Sequence, residues 1–288
     1  MTDASGPAQD DGRVRLLTYN VASAKRDRAA LGRVVRAVAP DLVTVQEGPG
    51  RLRWRSAAAR LARETALLWL GGGGPPAGTN VVLGHMRVDS VLTWSQRFPT
   101  PVGTPACGIA AGVFRVRGRP LGIAGVHLPP NPADRLRYAE LLAVVVGELR
   151  SRAGAVVVAG DLNEVPGGPG WRRISELGLT DAATAAAGAD AEPTFPARHS
   201  DRRLDAIWTS GSVEVLAVGV PGRSLRVPDV HADDLVVATD HLPVVADLRL
   251  TGPVAGRGSA DRVERGSADR VERGSADRVG RGSADRTG

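Results

Sequence analysis

Cysteine is nearly absent: Cys107 is the only one in 288 residues. No internal disulfide can form, so no disulfide framework marks an exported chain, and Cys107 reads as a small apolar strand residue. Aromatic residues make up 3% of the chain, and no insertion interleaves them with basic residues as a wedge into a duplex would need. The tryptophans Trp54, Trp69, Trp94, Trp171 and Trp208 therefore read as packing residues rather than base-stacking platforms. Apolar runs are strand-sized, which excludes a membrane-spanning helix. The first eleven residues are acidic and lack the apolar centre of a signal peptide. A monomer in a reducing cytoplasm is expected.

What is present suits a globular α/β protein, with 42% hydrophobic and 24% charged residues. The formal charge is +6, carried almost wholly by arginine, with Lys25 the single lysine. That bias points to coding composition as much as to phosphate binding, so charge argues only weakly for nucleic acid. From Arg257 to Gly288 the chain repeats Gly-Ser-Ala-Asp-Arg-Val-Glu-Arg, starting at Gly258, Gly266, Gly274 and Gly282. The repeat has no aromatic residue and at most one valine per unit, too little apolar area to offset the entropy of ordering. The expected organisation is a disordered leader at 1–12, a catalytic domain at 13–252 and a disordered tail at 253–288.

Within that domain the pattern predicts strands over 14–19, 42–46, 66–70, 79–83, 88–94, 107–116, 119–126, 155–159, 203–208, 212–220 and 243–250. Helical spacing is expected over 27–38, about 51–63, 132–150 and about 171–177, with a flexible Gly71–Pro76 turn. The last feature of interest is how the strands end. Val156-Val157-Val158-Ala159-Gly160-Asp161-Leu162-Asn163 finishes a buried strand with a carboxylate and an amide two residues apart. In extended backbone both project to the same side, so they can face one ligand. Other runs finish at Asn20, at Glu47 and at His127, and polar groups recur at Asp205 and at Asp240-His241. Six strand-like segments that each deliver a carboxylate, amide or imidazole near a terminus would assemble a polar site at one rim of a sheet.

In order, the motifs Thr18-Tyr19-Asn20, Val45-Gln46-Glu47, Gly125-Val126-His127-Leu128, Gly160-Asp161-Leu162-Asn163, Arg203-Leu204-Asp205 and Thr239-Asp240-His241-Leu242-Pro243 resemble the endonuclease/exonuclease/phosphatase superfamily. That group includes deoxyribonuclease-I-like nucleases and neutral sphingomyelinases. The resemblance implies a four-layer α/β sandwich, with two mixed sheets face to face and helices on the outer faces. It also implies a phosphoester substrate, nucleic acid among the candidates, and a divalent cation. Hard oxygen donors suit Mg²⁺ or Mn²⁺. By this resemblance Glu47 holds the metal, with Asn20 and Asp240 beside it. Asp161 activates water and Asn163 fixes water or a phosphate oxygen. His241 meets phosphate and is oriented by Asp205, while His127 serves a phosphate oxygen or the leaving group. Asn80, in a Gly-x-Asn strand entry, faces phosphate.

Two departures narrow the branch. The acidic residue that follows the first asparagine in apurinic-endonuclease-like members is Ala22 here, and Gly71 to Asn80 holds no acid to partner His127. Thr194-Phe195-Pro196-Ala197 with Arg202-Arg203-Leu204-Asp205 resembles small bacterial members. The alternatives are a lipid or small-molecule phosphatase or phosphodiesterase, and a non-catalytic phosphate-binding module on the same fold.

Overall fold

Strands buried on both faces read as continuous apolar runs, without the alternation of a half-exposed strand. Ala155–Asp161 is of this kind up to its terminal aspartate, and Leu42–Gln46 is equally buried but carries the polar Thr44 and Gln46. The computed structural model describes residues 11–49, 52–99, 107–186 and 191–252. The chain order begins with β1 (Arg13–Asn20), α1 (Arg28–Val38), β2 (Leu42–Gln46) and α2 (Trp54–Glu64). Next come β3 (Leu68–Gly72), β4 (Val81–Gly84), β5 (Val88–Arg97), β6 (Gly108–Val116) and β7 (Arg119–His127). They are followed by α3 (Pro132–Arg152), β8 (Ala155–Asp161), α4 (Pro169–Glu176), β9 (Thr180–Asp181) and α5 (Ala182–Ala185). The last elements are β10 (Asp205–Thr209), β11 (Val213–Gly219), α6 (Ala232–Ala238) and β12 (Val244–Leu250).

These strands form two six-stranded sheets, ordered β11-β12-β1-β2-β4-β3 and β5-β6-β7-β8-β10-β9. Each sheet contains one parallel pair, β1 with β2 and β7 with β8, and is otherwise antiparallel. A parallel pair needs a crossover, which α1 supplies in the first sheet and α3 in the second. Both helices carry legible starts: Asp27 accepts from Ala30 N, and Asn131 accepts from Ala133 N ahead of Pro132. The hairpin from β6 to β7 turns on Arg117 and Gly118, both at positive φ, the geometry that follows the strands' own twist.

Three apolar layers separate four layers of structure. Leu31, Val34 and Val35 of α1, Leu61 of α2 and Leu235 of α6 pack on Leu17, Val43 and Val245 of the first sheet. Leu16, Leu42, Leu121, Ile123, Val157 and Leu248 fill the space between sheets. Tyr138, Leu142 and Leu149 of α3 and Trp171 of α4 cover Val126, Val158 and Trp208 on the far side. The expected sandwich is therefore the observed one, and Trp171 and Trp208 are packing residues, with ring centroids 5.1 Å apart.

Three local expectations change. The Gly71–Pro76 stretch is not simply a flexible turn, because β3 runs on to Gly72 and pairs with Val81 after an irregularity between Trp69 and Gly71. The elements β9, α5 and α6 had no prediction. Gly12, expected in the leader, accepts a hydrogen bond from Leu250 N at 3.0 Å and so extends the pairing of β1 with β12. Residues 1–10 of that leader and the tail from 253 lie outside the described residues. Among the described residues, no helix is long and apolar enough to cross a membrane.

Candidate active site

Parallel pairing brings the C-terminal ends of β1 and β2 together in one sheet, and those of β7 and β8 together in the other. In the second sheet the register sets His127 opposite Asp161, and Asp161 opposite Asp205. Three polar side chains thus stand side by side at one rim. Gly160 makes this register possible: a Cβ there would lie 1.8 Å from Val126 O, so only glycine lets β8 approach β7. In the first sheet Asn20 pairs with Gln46, one residue before Glu47. Glu47 itself has φ 48, a left-handed backbone rare for a glutamate, and Asn163 has φ 47.

One oxygen is the meeting point. Asn20 Nδ2 donates across the two sheets to Asp161 Oδ2 at 2.9 Å and lies 3.2 Å from Glu47 Oε1. His127 Nε2 is 3.6 Å and His241 Nε2 3.7 Å from the same Asp161 Oδ2. The other oxygen, Asp161 Oδ1, accepts from Asn163 N at 2.8 Å. Asn163 Nδ2 bonds Leu128 O at 2.8 Å and lies 3.0 Å from His127 Nε2. An amide nitrogen only donates, so neutral His127 must carry its proton on Nδ1 and accept at Nε2. His241 Nδ1 is 2.9 Å from Asp205 Oδ2, in a pair that is buried on both sides.

Electrostatics sort the pair. Burial alone lowers the pKa of His241, but the charge and hydrogen bond of Asp205, with Asp161 and Asp240 nearby, outweigh it and raise the pKa to about 9. Burial pushes the Asp205 carboxyl up against the pull of His241. The proton between them belongs to the imidazole, and His241 is an imidazolium at neutral pH. Asp240 Oδ2 lies 3.4 Å from Arg26 Nη2, and its Oδ1 accepts from Thr239 Oγ1 at 3.2 Å.

The carboxylates of Asp161 and Glu47 are hard oxygen donors, the chemistry a divalent cation takes, and Asn20 turns its Nδ2 to both. Asp161, Asp205 and His241 present ligand atoms within 4.8 Å of one another. Asp205 Oδ1 is buried without a partner, while its other oxygen and His241 Nδ1 are committed to each other. That commitment leaves the Glu47 carboxylate as the better-suited donor, while the Asn20 amide oxygen already accepts from Ala22 N at 3.0 Å. One expected contact changes. Asn80 is fully buried, and its Nδ2 donates to Ala77 O at 3.0 Å and Gly108 O at 2.7 Å. Only its acceptor oxygen is unpartnered, and an acceptor repels phosphate. Asn80 braces the turn before β4.

Two residues with no expected role hold the others. Thr239 Oγ1 donates to Asn20 O at 3.0 Å, and Thr194 Oγ1 accepts from Leu204 N at 3.1 Å and Asp205 N at 3.2 Å. Thr239 adjoins Asp240-His241, so its neighbourhood was a signal. Thr194 had only its Thr-Phe-Pro context.

The sequence matches the family model described as Endonuclease/Exonuclease/phosphatase family over residues 17–241. Similar solved structures include an endonuclease/exonuclease/phosphatase from Beutenbergia cavernae, 25% identical with TM-score 0.61, covering 84% of this chain and 73% of that one. A mannosyl-6-phosphatase from Bacteroides thetaiotaomicron is 16% identical with TM-score 0.67, covering 82% and 99% of the two chains. Truncated Caenorhabditis elegans TDP2 is 17% identical with TM-score 0.61, covering 82% and 98%. At such identity the last two share the fold alone. A search of curated proteins gives no match.

Proposed function

This chain belongs to the endonuclease/exonuclease/phosphatase family of phosphoester hydrolases, and we propose that it cleaves phosphodiesters with a water activated by Asp161 and a Mg²⁺ or Mn²⁺ ion held at Glu47. The observation that carries this reading is the convergence of Asn20, His127 and His241 on Asp161 Oδ2. Glu47, with Asn20 and Asp240, would hold the cation, which when bound neutralises charge building on the phosphate and leaving oxygens. Asp161 is the base. Its carboxylate is oriented by Asn20 on one oxygen and by Asn163 N on the other, so it can take the proton that the attacking water loses. His241, kept charged by Asp205, donates from Nε2 to a non-bridging phosphate oxygen. His127, held by Asn163, serves a phosphate oxygen or the leaving oxygen.

Bis-p-nitrophenyl phosphate should be hydrolysed with Mg²⁺ or Mn²⁺, and EDTA should stop it. Glu47→Gln should lower kcat/KM by about 10²–10³-fold, the usual cost of losing one electrostatic contact to the reacting charge. Turnover that survives both EDTA and this substitution sinks the metal assignment. Plasmid DNA, RNA, sphingomyelin, phosphoinositides and nucleotide monoesters, each with Mg²⁺ and with EDTA, sort the substrate. A nuclease following a polyanion should lose affinity steeply with salt. Binding without turnover across the panel would favour the non-catalytic module.

A further inference from the structure

The half-buried ring of Phe195 lies against His241, with centroids 4.7 Å apart and planes inclined at 53°. The guanidinium of Arg202 lies over the Phe195 ring, 4.8 Å from its centroid. Backbone holds this order in place. Phe195 and Arg202 are partners in an antiparallel bridge, with Phe195 N donating to Arg202 O at 2.9 Å and Arg202 N to Phe195 O at 3.0 Å. The bridge is tied to the site itself: Leu242 N donates to Thr194 O and Ala197 N to Asp240 O, both at 2.7 Å. A guanidinium is thereby presented one aromatic ring away from the imidazolium.

Arg202 and its neighbour Arg203 divide the labour. Arg203 is buried and bound through both terminal nitrogens to Asp181, at 2.8 and 2.6 Å, a structural pair. Arg202 has a side chain 53% exposed, and its acidic neighbour Asp201, 3.5 Å away, is 75% exposed. An exposed pair of that kind contributes little, so the planar fork of Arg202 stays open to a better anion. The stack on Phe195 limits the side-chain freedom that binding would otherwise remove.

We propose that Arg202, seated on Phe195, forms a second anion subsite, so that the preferred substrate carries a further phosphate beside the one at His241. Nucleotide and sugar phosphates share this chemistry. The inference rests on the reading that His241 meets the scissile phosphate.

Isothermal titration of the full chain with Mg²⁺ tests it, comparing thymidine 3′,5′-bisphosphate with thymidine 5′-monophosphate. The bisphosphate should bind about tenfold more tightly, the gain of one charge-assisted contact. Arg202→Gln should make the two ligands bind alike, and Arg202→Lys should restore part of the preference. Phe195→Leu should weaken the preference while leaving Arg202 in the chain. Fructose 1,6-bisphosphate against fructose 6-phosphate forms a second arm: an Arg202-dependent gain in either arm supports the subsite and names the scaffold. Equal affinities in both arms for the wild type, or a preference that survives Arg202→Gln, overturn it. EDTA-sensitive hydrolysis of bis-p-nitrophenyl phosphate is read separately. Its loss with the preference intact counts against the hydrolytic reading alone.

Discussion

A buried carboxylate is costly unless it is paired, and Asp205 is fully buried with one hydrogen bond to an imidazolium. The pairing makes His241 a pH-dependent contributor to stability. Its folded pKa, about 9, lies above the ordinary value of 6.5. A raised pKa means that the folded state holds its proton more tightly than the unfolded chain does. The contribution is therefore full below about pH 6.5 and lost as pH rises through about 9. Asp205→Asn removes the principal cause. In EDTA, the gap in urea-unfolding free energy between wild type and Asp205→Asn should be widest near pH 6 and narrow towards pH 9 and above. A gap that stays constant across this range would mean that the pair is not ionised as described.

At the scale of elements, the site depends on two close fits. Gly160 lets β8 lie against β7, and an added Cβ would meet Val126 O at 1.8 Å and Val126 C at 2.8 Å. Backbone atoms cannot rotate away, so Gly160→Ala should cost about 2 kcal/mol or more and spread the strands that align His127 with Asp161. A lower midpoint in urea with a matching loss of turnover is the expected result, and wild-type values for both would show that the strands have slack. Thr194 joins the 194–203 segment to β10 by accepting from two backbone N–H groups, Leu204 and Asp205. Thr194→Val keeps the shape but leaves buried donors unsatisfied, at about 1–3 kcal/mol. Its turnover should fall more than that of Thr184→Val, whose hydroxyl donates to Asp181 at 3.2 Å, away from Asp205 and His241. Equal losses in the two variants would show that Thr194 has no particular hold on the dyad.

At the scale of the whole molecule, the two sheets are half-sites. Asn20 and Glu47 come from one and His127, Asp161 and Asp205 from the other, joined by the 2.9 Å contact of Asn20 with Asp161. Unfolding one sheet would therefore abolish the site. The eight-residue repeats lie beyond this assembly in sequence. They hold eight arginines against six acidic residues and offer no apolar face. Deleting Arg257 to Gly288 should leave melting temperature and turnover of a small diester nearly unchanged. If the repeats tether an anionic polymer, truncation weakens binding to long nucleic acid at low salt only. A large drop in melting temperature would show that they fold against the domain.

What the amino-acid order determined by itself is what local chemistry controls. Strands buried on both faces are mostly apolar, helices start at Asp27 and Asn131, and polar residues stand at strand ends. These features made most strands and helices legible, while the four-layer sandwich and the candidate site residues came from the family resemblance that the strand-end motifs carry. Short elements escaped: α6 buries only Leu235 and Ala238 and has no side-chain cap, and β9 has two residues, so each is held by its neighbours rather than by its own pattern. Beyond the Asp205–His241 contact, which the resemblance implied, only the tertiary structure decided which site residues touch. Asn20 and Asp161 meet across 141 positions of sequence. It also turned Asn80 inward to backbone carbonyls and stacked Phe195 on His241. Such contacts are set by sheet register and by how the layers pack, which no local spacing encodes.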